Sequence, residues 1–81
     1  MAIMRVLSKE GDARYSWDVA DLGRGDVEAM AAVREAERIF GEQRARGATA
    51  FRVTPGRPAE RLDSFDPQAE HVVLVPRVAG G

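Results

Sequence analysis

Few residues in this sequence are equipped for chemistry, and the best placed of them bring no side chain at all. The chain closes with His71-Val-Val-Leu-Val-Pro-Arg-Val-Ala-Gly-Gly81. Glycine has no Cβ, so Gly80 and Gly81 can enter a channel too narrow for any other residue and present a carboxylate there. Pro76 removes a backbone donor and stops regular strand pairing. Beyond it only Val78 could anchor the chain, so residues 77–81 read as a flexible, extended tail that leaves the fold at Pro76. A chain ends in two glycines by chance about once in 200. The diglycine therefore points to chemistry only if the preceding chain folds so as to present it.

The other candidates are fewer and weaker. There is no cysteine, which excludes disulfides, thiolate catalysis and cysteine zinc sites. His71 is the only histidine and has no metal-ligand or catalytic motif around it, so it reads as a strand-end residue. Asp18, Asp21 and Asp26 lack calcium-loop spacing and read as a solvated acidic loop. Arg24-Gly25-Asp26 spells the integrin tripeptide, but reads as a loop followed by a helix N-cap. Tyr15 and Trp17 have no basic groove beside them that would make a base-stacking platform. With no nucleophile–base pair, phosphate loop or dinucleotide fingerprint, the sequence gives no reason to expect an active site, a cofactor or a metal. Lys9 is the only lysine, and so carries the only ε-amine.

The elements that must position these residues follow from pattern. At 81 residues, 44% hydrophobic and 31% charged, the chain is expected to form one small globular domain. A formal net charge of -1 favours neither nucleic acid nor an anionic membrane. Met1 to Leu7 is too short, and too soon interrupted by Arg5, to be a signal peptide or a membrane span, so a cytoplasmic monomer is expected. A first strand spans Ala2 to Ser8, with Met4 and Val6 inward. A turn at residues 9–12 leads to a second strand from Ala13 to Val19, completing a hairpin. Residues 18–26 read as a loop, with Asp26 as N-cap of a helix from Val27 to Arg46. Its apolar stripe is Ala29, Ala32, Val33, Ala36, Ile39 and Phe40, and Gly47 suits the C′ position. A third strand covers Thr49 to Thr54 with Phe51 and Val53 inward. A loop from Arg57 to Pro67 is anchored by Leu62 and Phe65, with a very short strand near Leu62. The last strand spans Glu70 to Val75, with Val72 and Leu74 inward. One helix can cover only one face, so Val73 and Val75 are expected to form an exposed apolar patch for a partner. The predicted fold is α+β, a ββαββ mixed sheet with one helix packed on one face, over residues 1–76.

In this order of elements, and in its end, the chain resembles the ubiquitin-like β-grasp superfamily. The resemblance spans the whole chain: hairpin, helix, strand, loop with a short strand, final strand, Gly-Gly. Ubiquitin ends in a Leu/Val strand and an arginine four residues before its last glycine; here Val72-Val-Leu-Val75 is followed by Arg77, four before Gly81. Pro76 and Ala79 depart from that pattern, the helix is longer than usual, and the lysine-rich surface is missing. These features fit a divergent, bacterial-type relative. The resemblance implies a protein modifier that is a substrate of enzymes rather than an enzyme. Its partners would be an activating (adenylating) enzyme, a conjugating enzyme, a deconjugating protease and target proteins. Gly81 and Gly80 would be the site of activation and conjugation, with no protease needed to expose them. Arg77 would be read by the activating enzyme, and Lys9 would be the one lysine able to link chains. The sulfur carriers of thiamine and molybdopterin synthesis share the fold and the Gly-Gly end, which makes a C-terminal thiocarboxylate the alternative fate. Some phage tail-assembly proteins carry such a domain purely for interaction.

Overall fold

The computed structural model describes residues 1–77; Gly80 and Gly81, the expected site of activation, lie outside the described residues. Strand β1 (Ala2–Ser8) turns through Lys9 and Glu10 into β2 (Gly11–Trp17). Gly11 takes φ 123°, a conformation that L side chains rarely adopt. Helix α1 (Val19–Gly23) and helix α2 (Val27–Ala45) follow. Then come β3 (Thr49–Arg52), β4 (Glu60–Leu62) and β5 (His71–Val75). The strands form one five-stranded mixed sheet in the order β2-β1-β5-β3-β4. β5 lies at its centre, parallel to β1 and antiparallel to β3. The protein is thus α+β, with one long helix packed on one face of a mixed sheet, an arrangement compatible with a β-grasp fold.

Both helices start where an aspartate caps them. The Asp26 carboxylate accepts from the Ala29 N–H at 3.0 Å, and the Asp18 carboxylate accepts from the Asp21 N–H at 3.0 Å. Each removes an orphan donor from a first turn. α2 ends at Ala45, with Arg46 as C-cap and Gly47 at positive φ beyond it. The stretch expected to be a loop, residues 18–26, therefore contains a short helix. Val19 and Leu22 of that helix pack against the core.

Period-2 and period-3.6 patterns meet in the core. Met4, Val6, Val72 and Leu74 from the two central strands lie under Ala36, Ile39 and Phe40 of α2. Phe65, from the loop after β4, closes one flank: its ring centroid is 5.8 Å from Trp17 and 5.7 Å from Phe40. The Trp17 indole N–H donates to the Pro67 carbonyl at 2.8 Å, which ties that loop to β2 and satisfies the buried indole. Leu62 and Phe65 do anchor this segment, and both do so on the helix side.

β3 has the opposite facing from that expected. Ala50 pairs with Leu74 and is fully buried, whereas Phe51 pairs with Val73 on the other face and is half-buried. Alternation alone could not decide between Ala50 and Phe51, since both are apolar. The pairing with β5 decides it: Ala50 shares the buried face of Leu74, and Phe51 shares the other face with Val73. Bulk on that side comes instead from Ile39, Phe40 and Met4. This placement predicts that Ala50→Asp buries an unpaired charge and abolishes the cooperative thermal transition in circular dichroism, while Phe51→Asp keeps it. The reverse ranking would return Phe51 to the core.

Candidate functional site: the open sheet face and the end where β5 leaves it

Register dictates which side chains share the face that α2 does not cover. β1 sends Ile3, Arg5 and Leu7 there, and β5 sends His71, Val73 and Val75. β3 adds Thr49 and Phe51, joined at the strand end by Val53, whose N–H donates to the His71 carbonyl at 2.9 Å. The apolar members, Ile3, Leu7, Phe51, Val53, Val73 and Val75, are all half-buried. Val73 and Val75 are thus joined by apolar residues from two neighbouring strands. Phe51 and Val53 were missed as members because their facing is set by strand register, which no local pattern reveals. The Nε2 atom of His71 is buried without a hydrogen-bond partner.

The flanks of this face are basic. Asp12 of β2 accepts from Arg5 at 2.9 Å and from Arg14 at 3.4 Å. Those two guanidinium groups, Arg5 foremost, hold the Asp12 carboxyl below its ordinary value. Arg61 of β4 stands opposite Phe51 and makes no salt bridge among the described residues. On this face three arginines stand against one aspartate, in a chain whose net charge is -1.

The second feature is the end of the sheet at which β5 finishes. β1 and β5 run parallel, so the Lys9 hairpin turn and Arg77 lie at the same end. Lys9 is exposed, and so are Pro76 and Arg77. Arg77 lies across from Gly47, with its Cδ 3.0 Å from where a Cβ on that glycine would stand.

Two hollows elsewhere are occupied by structural pairing. One, of about 430 Å³, is lined by Arg52, Arg57, Glu60, Asp66 and Glu70. Within it Arg52 bridges Glu60 at 2.6 Å and Asp66 at 3.5 Å. The other, of about 340 Å³, gathers Asp18, Asp21, Asp26 and Glu28 beside Trp17. There Asp18 and Asp26 are helix caps, and Asp21 pairs with Arg24. The Asp21 amide, above all, lowers the Asp18 carboxyl. No group of acidic residues or histidine among the described residues is placed to hold a metal ion. No helix among them is long and apolar enough to cross a membrane. Comparison with known proteins gives no match to any family model, curated protein or solved structure.

The Asp12 pairing has a pH signature. Its folded-state pKa is the lower one, so the pairing stabilises the fold fully above the ordinary value of 3.8 and is lost as pH falls through the folded-state value. Arg5→Ala should raise the Asp12 titration midpoint, followed through the carboxyl carbon shift by NMR. An unmoved midpoint would show that Arg5 is not the cause.

Proposed function

We propose that this protein is a ubiquitin-like modifier whose Gly81 carboxylate is activated by an adenylating enzyme and conjugated to targets. The observation that carries this reading is the position of β5. It is the central strand of a β-grasp-like sheet, and it ends at Val75 with Pro76 and Arg77 exposed, four residues before Gly81. A rigid sheet with a chain end free of side chains is what a carrier of its own carboxylate needs.

In the proposed reaction a Gly81 carboxylate oxygen attacks the α-phosphorus of ATP. The α–β phosphoanhydride bond breaks and pyrophosphate leaves, giving an acyl-adenylate. A thiolate of the enzyme then attacks the acyl carbon and AMP leaves. Finally a target amine displaces that thiolate and forms an amide. Attack on the adenylate by a sulfide donor instead gives a thiocarboxylate, the sulfur-carrier outcome. Gly80 and Gly81 fit a narrow channel; Arg77 meets an acidic group of the activating enzyme; Val73 and Val75 join the apolar face that holds a partner. That face also supports a second reading, in which the domain is an interaction module that is never conjugated.

Two experiments decide between them. Incubation with ATP and an adenylating enzyme from the same genome should give pyrophosphate exchange and a mass shift confined to the C-terminal peptide. Deleting Gly80 and Gly81 should abolish both while leaving the melting temperature unchanged; a deletion chain with full biological activity would defeat the carrier reading. If chains of the protein form through lysine, Lys9→Arg should eliminate them and leave single-target modification intact. Linkage persisting in that variant would exclude Lys9 as the acceptor.

A further inference from the structure

We propose that β2 is the strand through which this protein pairs with a second copy of itself, edge to edge about a twofold axis at Ala13. This goes beyond the carrier reading and stands whether or not Gly81 is activated.

The free edge follows from the sheet order and the hairpin turn. β2 is the outermost strand on one side of the sheet, and β4 the outermost on the other. β4 has three residues, whereas β2 has seven, with no proline among them. Only Lys9 and Glu10 separate Ser8 from Gly11, so Ser8 and Gly11 are the first pair to exchange backbone hydrogen bonds. Alternation along the ladder then turns the N–H and C=O groups of Gly11, Ala13, Tyr15 and Trp17 toward β1. Those of Asp12, Arg14 and Ser16 point out of the sheet, and no backbone group of another element among the described residues bonds to them. Such a row of unpaired groups is a template for a further strand.

Charge selects the occupant. Sheet edges are commonly guarded by charged side chains. This edge carries both signs, Asp12 and Arg14, two residues apart on one face. Antiparallel pairing must set outward-pointing residues opposite one another. A twofold axis at residue 12 sets Asp12 against Asp12, and an axis at residue 14 sets Arg14 against Arg14. An axis at Ala13 sets Asp12 of each copy against Arg14 of the other, twice over. The same register sets Ala13 against Ala13, small enough for close approach, and Tyr15 against Gly11, which brings no side chain to meet the ring. Arg14 is available for this contact. Its side chain is 67% exposed, and it reaches its own Asp12 only at 3.4 Å, while Arg5 holds that carboxylate at 2.9 Å.

An axis normal to the sheet keeps both long helices on one side and both open faces on the other. It also reverses strand direction, so the two β5 strands finish at opposite ends of the dimer, away from the pairing. A single strand pair buries less than the roughly 1,200–2,000 Å² of a standard interface, so the association is weak and concentration-dependent.

The test uses the full chain in solution. Sedimentation from micromolar to millimolar concentration should show a monomer–dimer equilibrium. Over that range the amides of Asp12, Arg14 and Ser16 should gain protection from hydrogen exchange. A mixture of isotope-labelled and unlabelled chains should show an interchain nuclear Overhauser contact between Ala13 Hα protons, which lie close in a non-hydrogen-bonded pair. Arg14→Asp and Asp12→Arg each set like charges across the axis, and each should weaken self-association about tenfold or more. Mixed in equal amounts, the two variants are complementary at both positions and should associate with each other as the wild type does. If Asp12→Arg fails to fold for want of its bond to Arg5, Arg14→Asp and the Ala13 contact carry the test. A monomer throughout the range would overturn the inference. So would self-association undiminished in Arg14→Asp, interchain contacts at Phe51 and Val73 in place of Ala13, or folded variants that fail to associate when mixed. Pyrophosphate exchange at Gly81 is measured separately, and neither result decides the other.

Discussion

One long helix serves a sheet of five strands, and most of this protein's organisation follows from that ratio. α2 can bury one face only. β5, paired on both edges, must then be apolar toward the helix and is free to be apolar toward solvent as well. Its buried members, Val72 and Leu74, are nearly inaccessible, while Val73 and Val75 remain half-exposed. In so small a domain the core depends on contributions from outside the main layers. Phe65 supplies one, bridging Trp17 and Phe40, and the indole bond to Pro67 fixes the loop that delivers it.

Much of this was legible in the sequence, and the limits have physical causes. β1 could be read because Arg5 sits between Met4 and Val6 and marks the outward parity. α2 could be read because six apolar residues repeat at helical spacing between an aspartate cap and a glycine stop. β3 could not, because Ala50 and Phe51 are both apolar. Its parity depends on pairing with β5, a partner about twenty residues away in sequence. α1 was missed for a different reason. Five residues give little more than one turn of helix, too few for a period to emerge. The available signal was Asp18 followed three residues later by the amide it caps, with Val19 and Leu22 spaced to share a face.

The same geometry explains which charged groups are left free. The acidic cluster that draws the eye in the sequence is used up in folding: two aspartates cap helices and a third is paired with Arg24. Arg52 is tied to both Glu60 and Asp66. Among the described residues, Arg61 beside the open face and Arg46 and Arg77 near the end of β5 make no salt bridge, and neither do Glu10, Glu28, Glu37 and Glu70. A count of charges along the chain cannot show this, since its total is -1.

Charge is therefore sorted along α2, and the sorting has a direction. Asp26, Glu28, Asp18 and Asp21 gather about its N-terminus, whereas Arg44, Arg46 and Arg77 gather about its C-terminus. The macrodipole favours each sign at its own end. Because β1 runs parallel to β5, the β1–β2 turn lies at the same end, where it brings the Lys9 amine together with the Glu10 carboxylate and adds no net charge. A nearly neutral molecule built this way still presents a cationic pole. Long-range attraction to an acidic surface would orient that pole forward, and would do so through the distribution of charge rather than its sum. That pole lies at the end of the sheet where β5 finishes at Val75.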